Sequence, residues 1–296
     1  MNTFCEYCPR HCVTDRDTTL GYCRANNQIL INKIMLHYWE EPIISGTEHT
    51  PRKGSGAIFF SHCNLKCVYC QNYEISHGDC GRYYSPQQLA QVFRDLEGQC
   101  ATNINLVTPT HYSLLILEAL KIYRPKIPVV WNTGGYESPD VIRKLKGYVD
   151  IFLTDFKYYD DNLALKYSGA TNYLQFAIDS LRAMREICPH DEIVNGLMRS
   201  GIIVRHLVLP NHTDDSKRVL DTIVSTLGKF TIVSLMSQYI PMGRAKDYPE
   251  INRKLKPIEY KVVKRYMYSL GLDGFVQELD SACTQYIPDF DTGIKH

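Results

Sequence analysis

The sequence predicts an α/β fold built on parallel strands, and two observations carry that expectation. From residue 57 onward, short apolar runs alternate with helix-forming segments six times. Repeated strand–helix units run parallel and connect by right-handed crossovers. Two of the helices also open on Ser-Pro, at Ser85-Pro86 and Ser138-Pro139, where serine suits the N-cap and proline the first turn.

Taken in order, residues 28–34 read as a short strand. Pro42, Gly46, Pro51, Gly54 and Gly56 then break the chain into turns. The six units follow: strand 57–61 with helix 85–97, strand 104–108 with helix 112–123, and strand 129–132 with helix 138–146. Then come strand 150–157 with a long helical region 171–187, strand 202–209 with helix 214–227, and strand 230–236 with helix 257–270. Six units fall short of the eight of a closed barrel. The expected organisation is an appended segment at 1–50, a strand–helix body at 51–280 and a tail at 281–296.

Composition bounds the function. The 296 residues, 44% hydrophobic and 22% charged, are ordinary for a globular protein. With 33 basic and 32 acidic residues the net charge is +1, so no bulk field draws the chain to nucleic acid or to a membrane surface. No basic segment followed by an apolar one opens the chain, and no apolar run approaches the ~18 residues of a membrane span. Eleven cysteines are then expected in a reducing cytoplasm, where grouped thiols hold metals more often than disulfides.

Three of the cysteines, Cys63, Cys67 and Cys70, stand in a CxxxCxxC spacing directly after the apolar run Ala57-Ile58-Phe59-Phe60. Thiolates are the usual ligands of iron–sulfur clusters, and three ligands on a four-iron cubane leave one iron open. An open position distinguishes a catalytic metal site from a closed structural one. The competing reading is a zinc knuckle with its fourth ligand elsewhere. Nearer the N-terminus, Cys5, Cys8, Cys12 and Cys23 offer enough thiolates to close a second site, zinc or iron–sulfur. A segment of about 25 residues buries little apolar surface, and a bound metal supplies the missing folding free energy.

In parallel α/β folds the chemistry lies at the C-terminal ends of the strands. The second strand ends in Thr108-Pro109-Thr110-His111, with His111 a candidate proton donor. The third ends in Asn132-Thr133-Gly134-Gly135, whose adjacent glycines permit close backbone approach. On the fourth, alternation puts Leu153, Asp155 and Lys157 on one face. An acid and a base at the end of an apolar strand are costly to bury alone and are explained by a ligand carrying both charges. On the fifth, Arg205 and His206 point to opposite faces. The sixth leads to Gln238 and Tyr239.

These motifs carry a resemblance. CxxxCxxC with Tyr69 before the last cysteine resembles the cluster loop of radical S-adenosylmethionine (SAM) enzymes. The continuation through Gln71, Asn72 and Tyr73 to Ser76 is similar to the pyruvate formate-lyase activating enzyme-like branch. So are Cys8-Pro9-Arg10-His11-Cys12, Thr108 to His111, Asp155-Phe156-Lys157, Arg205 to Pro210 and Met236 to Tyr239, across residues 5 to 280. The resemblance implies a partial (β/α)6 barrel with a small N-terminal cysteine-rich metal-binding extension. It implies a [4Fe–4S] cluster on Cys63, Cys67 and Cys70, cleavage of SAM to a 5′-deoxyadenosyl radical, and an electron donor such as flavodoxin or ferredoxin. Lys157 is then expected to pair the SAM carboxylate with Asp155 beside it. Tyr69, Asn72, Thr108, Thr110, Asn132, Thr133, Arg205 and Gln238 are the further SAM-contact candidates. Thr108-Pro109-Thr110-His111 stands where many relatives carry Gly-Gly-Glu for the SAM amino group. The substrate is expected to be a protein, as for a glycyl-radical activase. The alternatives are a peptide, nucleotide or small molecule, or a non-catalytic iron–sulfur or zinc protein. Cys283 lies on the C-terminal tail, where an idle thiol is the default reading and closure of the tail over the barrel mouth the alternative.

Overall fold

The computed structural model describes residues 5–52, 54–277 and 288–290. Cys283 lies outside them. The described chain begins with a cysteine-rich segment and continues through strand β1 (Ile29–His37), helix α1 (Pro42–Ser45), β2 (Ser55–Phe60), α2 (Tyr73–His77), β3 (Arg82–Tyr84), α3 (Pro86–Gly98) and β4 (Ile104–Val107). There follow α4 (Ser113–Ile122), β5 (Val129–Thr133), α5 (Pro139–Lys144), β6 (Ile151–Asp155), α6 (Asp161–Ser168), α7 (Tyr173–Ile187) and β7 (Glu192–Val194). The last elements are β8 (Leu197–Leu207), α8 (Thr213–Leu227), β9 (Ile232–Met236), α9 (Pro257–Ser269) and β10 (Asp273–Val276).

Ten strands form one sheet in the order β10-β9-β8-β6-β5-β4-β2-β1-β3, with β7 added beside β8. The six expected strands are β2, β4, β5, β6, β8 and β9, all parallel, and β10 extends the run by one more parallel strand. At the other edge β1 and β3 add antiparallel. Within the described residues β3 and β10 end the sheet without pairing to each other, so the architecture is an open, partial barrel.

Burial explains this arrangement. Phe60, Leu106, Trp131, Phe152, Val204 and Leu235 face outward into the core shared with the helices. Val130, Ile151, Leu153 and Ile203 face inward and pack on Ile44 of α1. Ile44 is fully buried, so α1 plugs the barrel floor, and a buried isoleucine contributes about 1.5–3 kcal/mol. Ser85 caps α3 in a reciprocal box: its hydroxyl accepts from Gln88 N at 3.2 Å while the Gln88 side chain accepts from Ser85 N at 2.8 Å. Ser138 occupies the N-cap of α5 without such a bond.

Several readings change. The strand expected at residues 28–34 belongs to the main sheet, pairing Ile34 with Ile58 and Met35 with Ala57. The helical region expected from residue 171 starts at Tyr173, with α6 ahead of it ended by left-handed Gly169. The short elements β3, α2, β7 and β10 carry too few residues for a periodic pattern.

Candidate active site

The strand ends and the loop after β2 enclose a cavity of about 230 Å³. The three cysteines of the CxxxCxxC loop line it, together with Tyr69, Asn72, Thr108, Asn132, Thr133, Asp155, Lys157, Arg205 and Gln238. Nine of the ten predicted SAM-contact residues therefore surround one space. The tenth, Thr110, is buried beneath it and donates to Glu137 at 2.6 Å.

The cysteine loop is fixed from behind. Val68 N donates to Tyr167 O at 2.8 Å and Lys66 N to Ser168 O at 3.3 Å. Leu65 N points at Cys63 Sγ, 3.3 Å away. Cys67 Sγ contacts Ser168 Oγ at 2.9 Å, which bonds Tyr158 OH at 2.7 Å, which bonds Tyr69 OH at 2.5 Å. Burial first, and then the neighbouring thiols, push Cys63 far above its ordinary value and Cys70 up to about 11. Alone, such thiols stay protonated, while a metal among them stabilises the thiolates and reverses that balance.

No three His, Cys, Asp or Glu side chains among the described residues gather closely enough to hold a single ion. Cys63, Cys67 and Cys70 line a cavity of about 230 Å³, which leaves room for a cubane held by three thiolates with one corner open. The donor set therefore fits a cubane.

Opposite the cysteines, the charged groups form a network. Lys157 Nζ donates to Asp155 Oδ2 at 2.6 Å and Arg205 Nε to Asp155 Oδ1 at 2.9 Å. Arg205 also reaches Asn132 Oδ1 at 2.6 Å and Glu40 Oε2 at 3.3 Å. Burial alone would raise the Asp155 carboxyl, but the two cations outweigh it and hold the group below the usual carboxylate range. Burial likewise opposes the Lys157 charge, and Asp155 more than restores it. Lys157 thus meets the cavity already paired.

Glu40 was not singled out in the sequence. It follows β1, and its Oε1 accepts from Asn105 at 3.0 Å and from Asn132 at 3.1 Å. The usable signal was the acidic pair Glu40-Glu41 ahead of Pro42, in a stretch read as turns. His37 and Trp39 of the same segment also line the cavity, as does Pro288 from the described part of the tail.

The Gly134-Gly135 turn shows why those residues are glycine. Gly135 has φ +81°, and a Cβ there would stand 2.0 Å from Asp155 O. A Cβ on Gly134 would press on Leu65 of the cysteine loop at 2.9 Å. The turn lets the ends of β5 and β6 close against the loop. Thr108, at φ 61°, holds a conformation that costs a non-glycine residue about 1 kcal/mol or more.

His111 and His206 have other places. His111 is fully buried outside the cavity, its Nε2 donating to Ser61 O at 2.8 Å, and burial pushes its pKa down to about 3. It remains neutral and is no proton donor to this cavity. His206 is buried on the outer face and donates to Phe156 O at 2.7 Å, as the alternation with Arg205 requires.

Comparison with known proteins places this geometry. The Radical SAM superfamily model matches residues 57–223. An uncharacterized protein of Methanocaldococcus jannaschii is 32% identical over 280 residues, covering 90% of this chain and 76% of that protein. Among solved structures, Streptococcus suis SuiB bound to S-adenosylmethionine aligns with a TM-score of 0.51 at 13% identity, over 75% of this chain. The chain spans about half of SuiB, 50% of its length. A radical SAM methyltransferase from Sphaerobacter thermophilus aligns with a TM-score of 0.51 at 13% identity, over 80% of this chain and 71% of that one. No helix among the described residues is long and apolar enough to cross a membrane. A family match across more than half of the residues, on a partial barrel with three cysteines lining its cavity, shows that the chain belongs to the radical SAM superfamily, whose members use a [4Fe–4S] cluster and S-adenosylmethionine.

Proposed function

We propose that this radical SAM enzyme belongs to the pyruvate formate-lyase activating enzyme-like branch and abstracts a hydrogen atom from a protein substrate. When bound, the cluster and SAM supply one-electron reductive cleavage and a carbon-centred radical; the protein contributes position, desolvation and tuning. The observation that carries the reading is the shared cavity, with Cys63, Cys67 and Cys70 on one wall and Asp155, Lys157 and Arg205 on the other.

Cys63, Cys67 and Cys70 would ligate three irons and leave the fourth facing the cavity. The Lys157 ammonium would take the SAM carboxylate, with Asp155 sharing its charge between Lys157 and Arg205. Asn132 and Thr133 would orient the ligand from the β5 turn, and Tyr69, Asn72, Thr108 and Gln238 would complete its surround. The donor of the electron would be a flavodoxin or ferredoxin, in the cytoplasm. Support for a macromolecular substrate comes from the exposed aromatics Tyr38 and Trp39, 51% and 63% accessible, on the segment that borders the cavity.

The test is anaerobic incubation of the reconstituted protein with SAM and dithionite, followed by quantification of 5′-deoxyadenosine. Coexpression with candidate glycyl-radical proteins and EPR then addresses the substrate. A doublet on the partner supports the activase reading. 5′-Deoxyadenosine without a doublet on any partner moves the substrate to a peptide or small molecule. No 5′-deoxyadenosine at all overturns the catalytic reading.

A further inference from the structure

The strands leave one side of the cavity uncovered. Within the described residues β3 and β10 end the sheet without pairing to each other. β3 covers β1 only at Ile29, Leu30 and Ile31, so no described strand pairs with the far edge of β1 from residue 33 on. The inner face beside that edge is apolar: Ala57 and Phe59 of β2, Val107 of β4 and Ile75 of α2 form one buried cluster, with Met35 of β1 packed against it. Such a face needs a cover to stay dry. The appended cysteine segment does not supply it. Cys5, Cys8, Cys12 and Cys23 line a separate space of about 10 Å³, none of whose lining residues borders the cavity.

The cover comes from Pro288, Asp289 and Phe290. Phe290 is 8% exposed and completes the apolar cluster. Its ring meets Phe59 edge to face with centroids 5.4 Å apart, and His37 meets Phe59 in the same way at 5.9 Å. A buried aromatic removes about 150–250 Å² from water. Asp289 O accepts from Lys33 Nζ at 2.5 Å, which ties the segment to β1. Pro288 lines the cavity itself, with His37, Phe59, Val107 and the three cysteines of the CxxxCxxC loop. Three consecutive residues thus supply a piece of cavity wall, a tie to the sheet and an apolar anchor.

We propose that Pro288–Phe290 is a wall of the active site, anchored by Phe290 on Phe59 and by Lys33 on Asp289, that seals the β1 side of the cavity and governs entry from it. Closing an active site expels water and prevents side reactions of reactive intermediates. A short segment held by one aromatic ring and one hydrogen bond opens at a free energy below that of global unfolding, so the wall opens while the strand–helix body stays folded. The proposal rests on the cavity and not on the identity of the substrate.

The test is the rate of iron release from the anaerobically reconstituted protein to ferrozine, a bulky ferrous chelator, with the thermal unfolding of each variant as control. Release that follows the open population reads access to the cavity. Phe290→Ala and a chain ending at residue 287 should release iron about tenfold faster or more, since losing a buried aromatic exceeds the free energy of one decade. Phe290→Leu, which keeps an apolar anchor, should release it more slowly than Phe290→Ala. Faster release at an unchanged unfolding midpoint supports the proposal, and a wild-type rate from the shortened chain overturns it. If the midpoint falls, Lys33→Ala decides. It cuts the tie to Asp289 O without touching the apolar cluster and should speed release about threefold or more; an unchanged rate overturns the proposal.

Discussion

Glu137 is fully buried, and all its hydrogen bonds fall on one oxygen. Oε1 accepts from Thr110 Oγ1 at 2.6 Å, from Trp131 Nε1 at 3.1 Å and from Thr133 Oγ1, while Oε2 has no partner among the described residues. Burial raises the carboxyl's pKa and the three donors lower it; burial wins, moving it from 4.5 up to about 7. At about 1.4 kcal/mol per tenfold change in proton affinity, that displacement corresponds to about 3 kcal/mol. Because the folded-state value is the higher one, the group's contribution to stability is fully present below pH 4.5. It is lost as pH rises toward and through 7. Glu137→Gln keeps an acceptor for the three donors and cannot ionise. Urea unfolding under anaerobic conditions, measured from pH 4.5 to 8, should show the variant gaining on wild type by up to about 3 kcal/mol over that range. A difference that stays constant with pH would show that Glu137 is ionised throughout, and the reasoning would fail. Thr133 lines the cavity, so Glu137→Ala, which strands three donors, should also lower 5′-deoxyadenosine formation where Glu137→Gln does not.

Other perturbations follow from the same geometry. Asp155→Asn leaves Lys157 without its carboxylate and Arg205 with Glu40 and the nearby Glu41, and should cost about 3–5 kcal/mol in urea unfolding; a loss under about 1 kcal/mol would mean that the network is solvated. Arg205→Lys keeps the charge but loses the planar fork that reaches Asp155, Asn132 and Glu40 together. SAM cleavage should fall about tenfold or more, since one good charged hydrogen bond is worth about 1.5–3 kcal/mol, and unchanged turnover would remove Arg205 from the site. Ser168→Ala deletes the hydroxyl next to Cys67 Sγ and should move the cluster potential to more negative values in an EPR-monitored redox titration; an unmoved potential would make that contact packing only.

The resemblance was legible in single residues because cluster ligation tolerates few alternatives. Thiolates are the usual cluster ligands, so Cys63, Cys67 and Cys70 stood out as candidates without coordinates. Asp155 and Lys157 were visible because charge at the end of an apolar strand demands a reason. For Glu40 the acidic pair was a signal but its role was not legible: that role depends on Asn105, Asn132 and Arg205, residues 65 or more positions away that meet it only when the sheet curls. Thr110 and His111 follow the same strand as Thr108, yet one helical turn takes them off the cavity. No local pattern records that turn.

By itself the sequence determined six parallel strand–helix units, since hydrophobic runs, serine caps and prolines act locally, and it determined the ligand types, since cysteine chemistry is a property of the residue. The tertiary structure decided what depends on distance. It set the pairing of Lys157 with Asp155 before any ligand arrives, the closing of the barrel floor by Ile44 and the burial that lifts Glu137. Each of these is a through-space effect between residues far apart in the chain, and only packing fixes those distances.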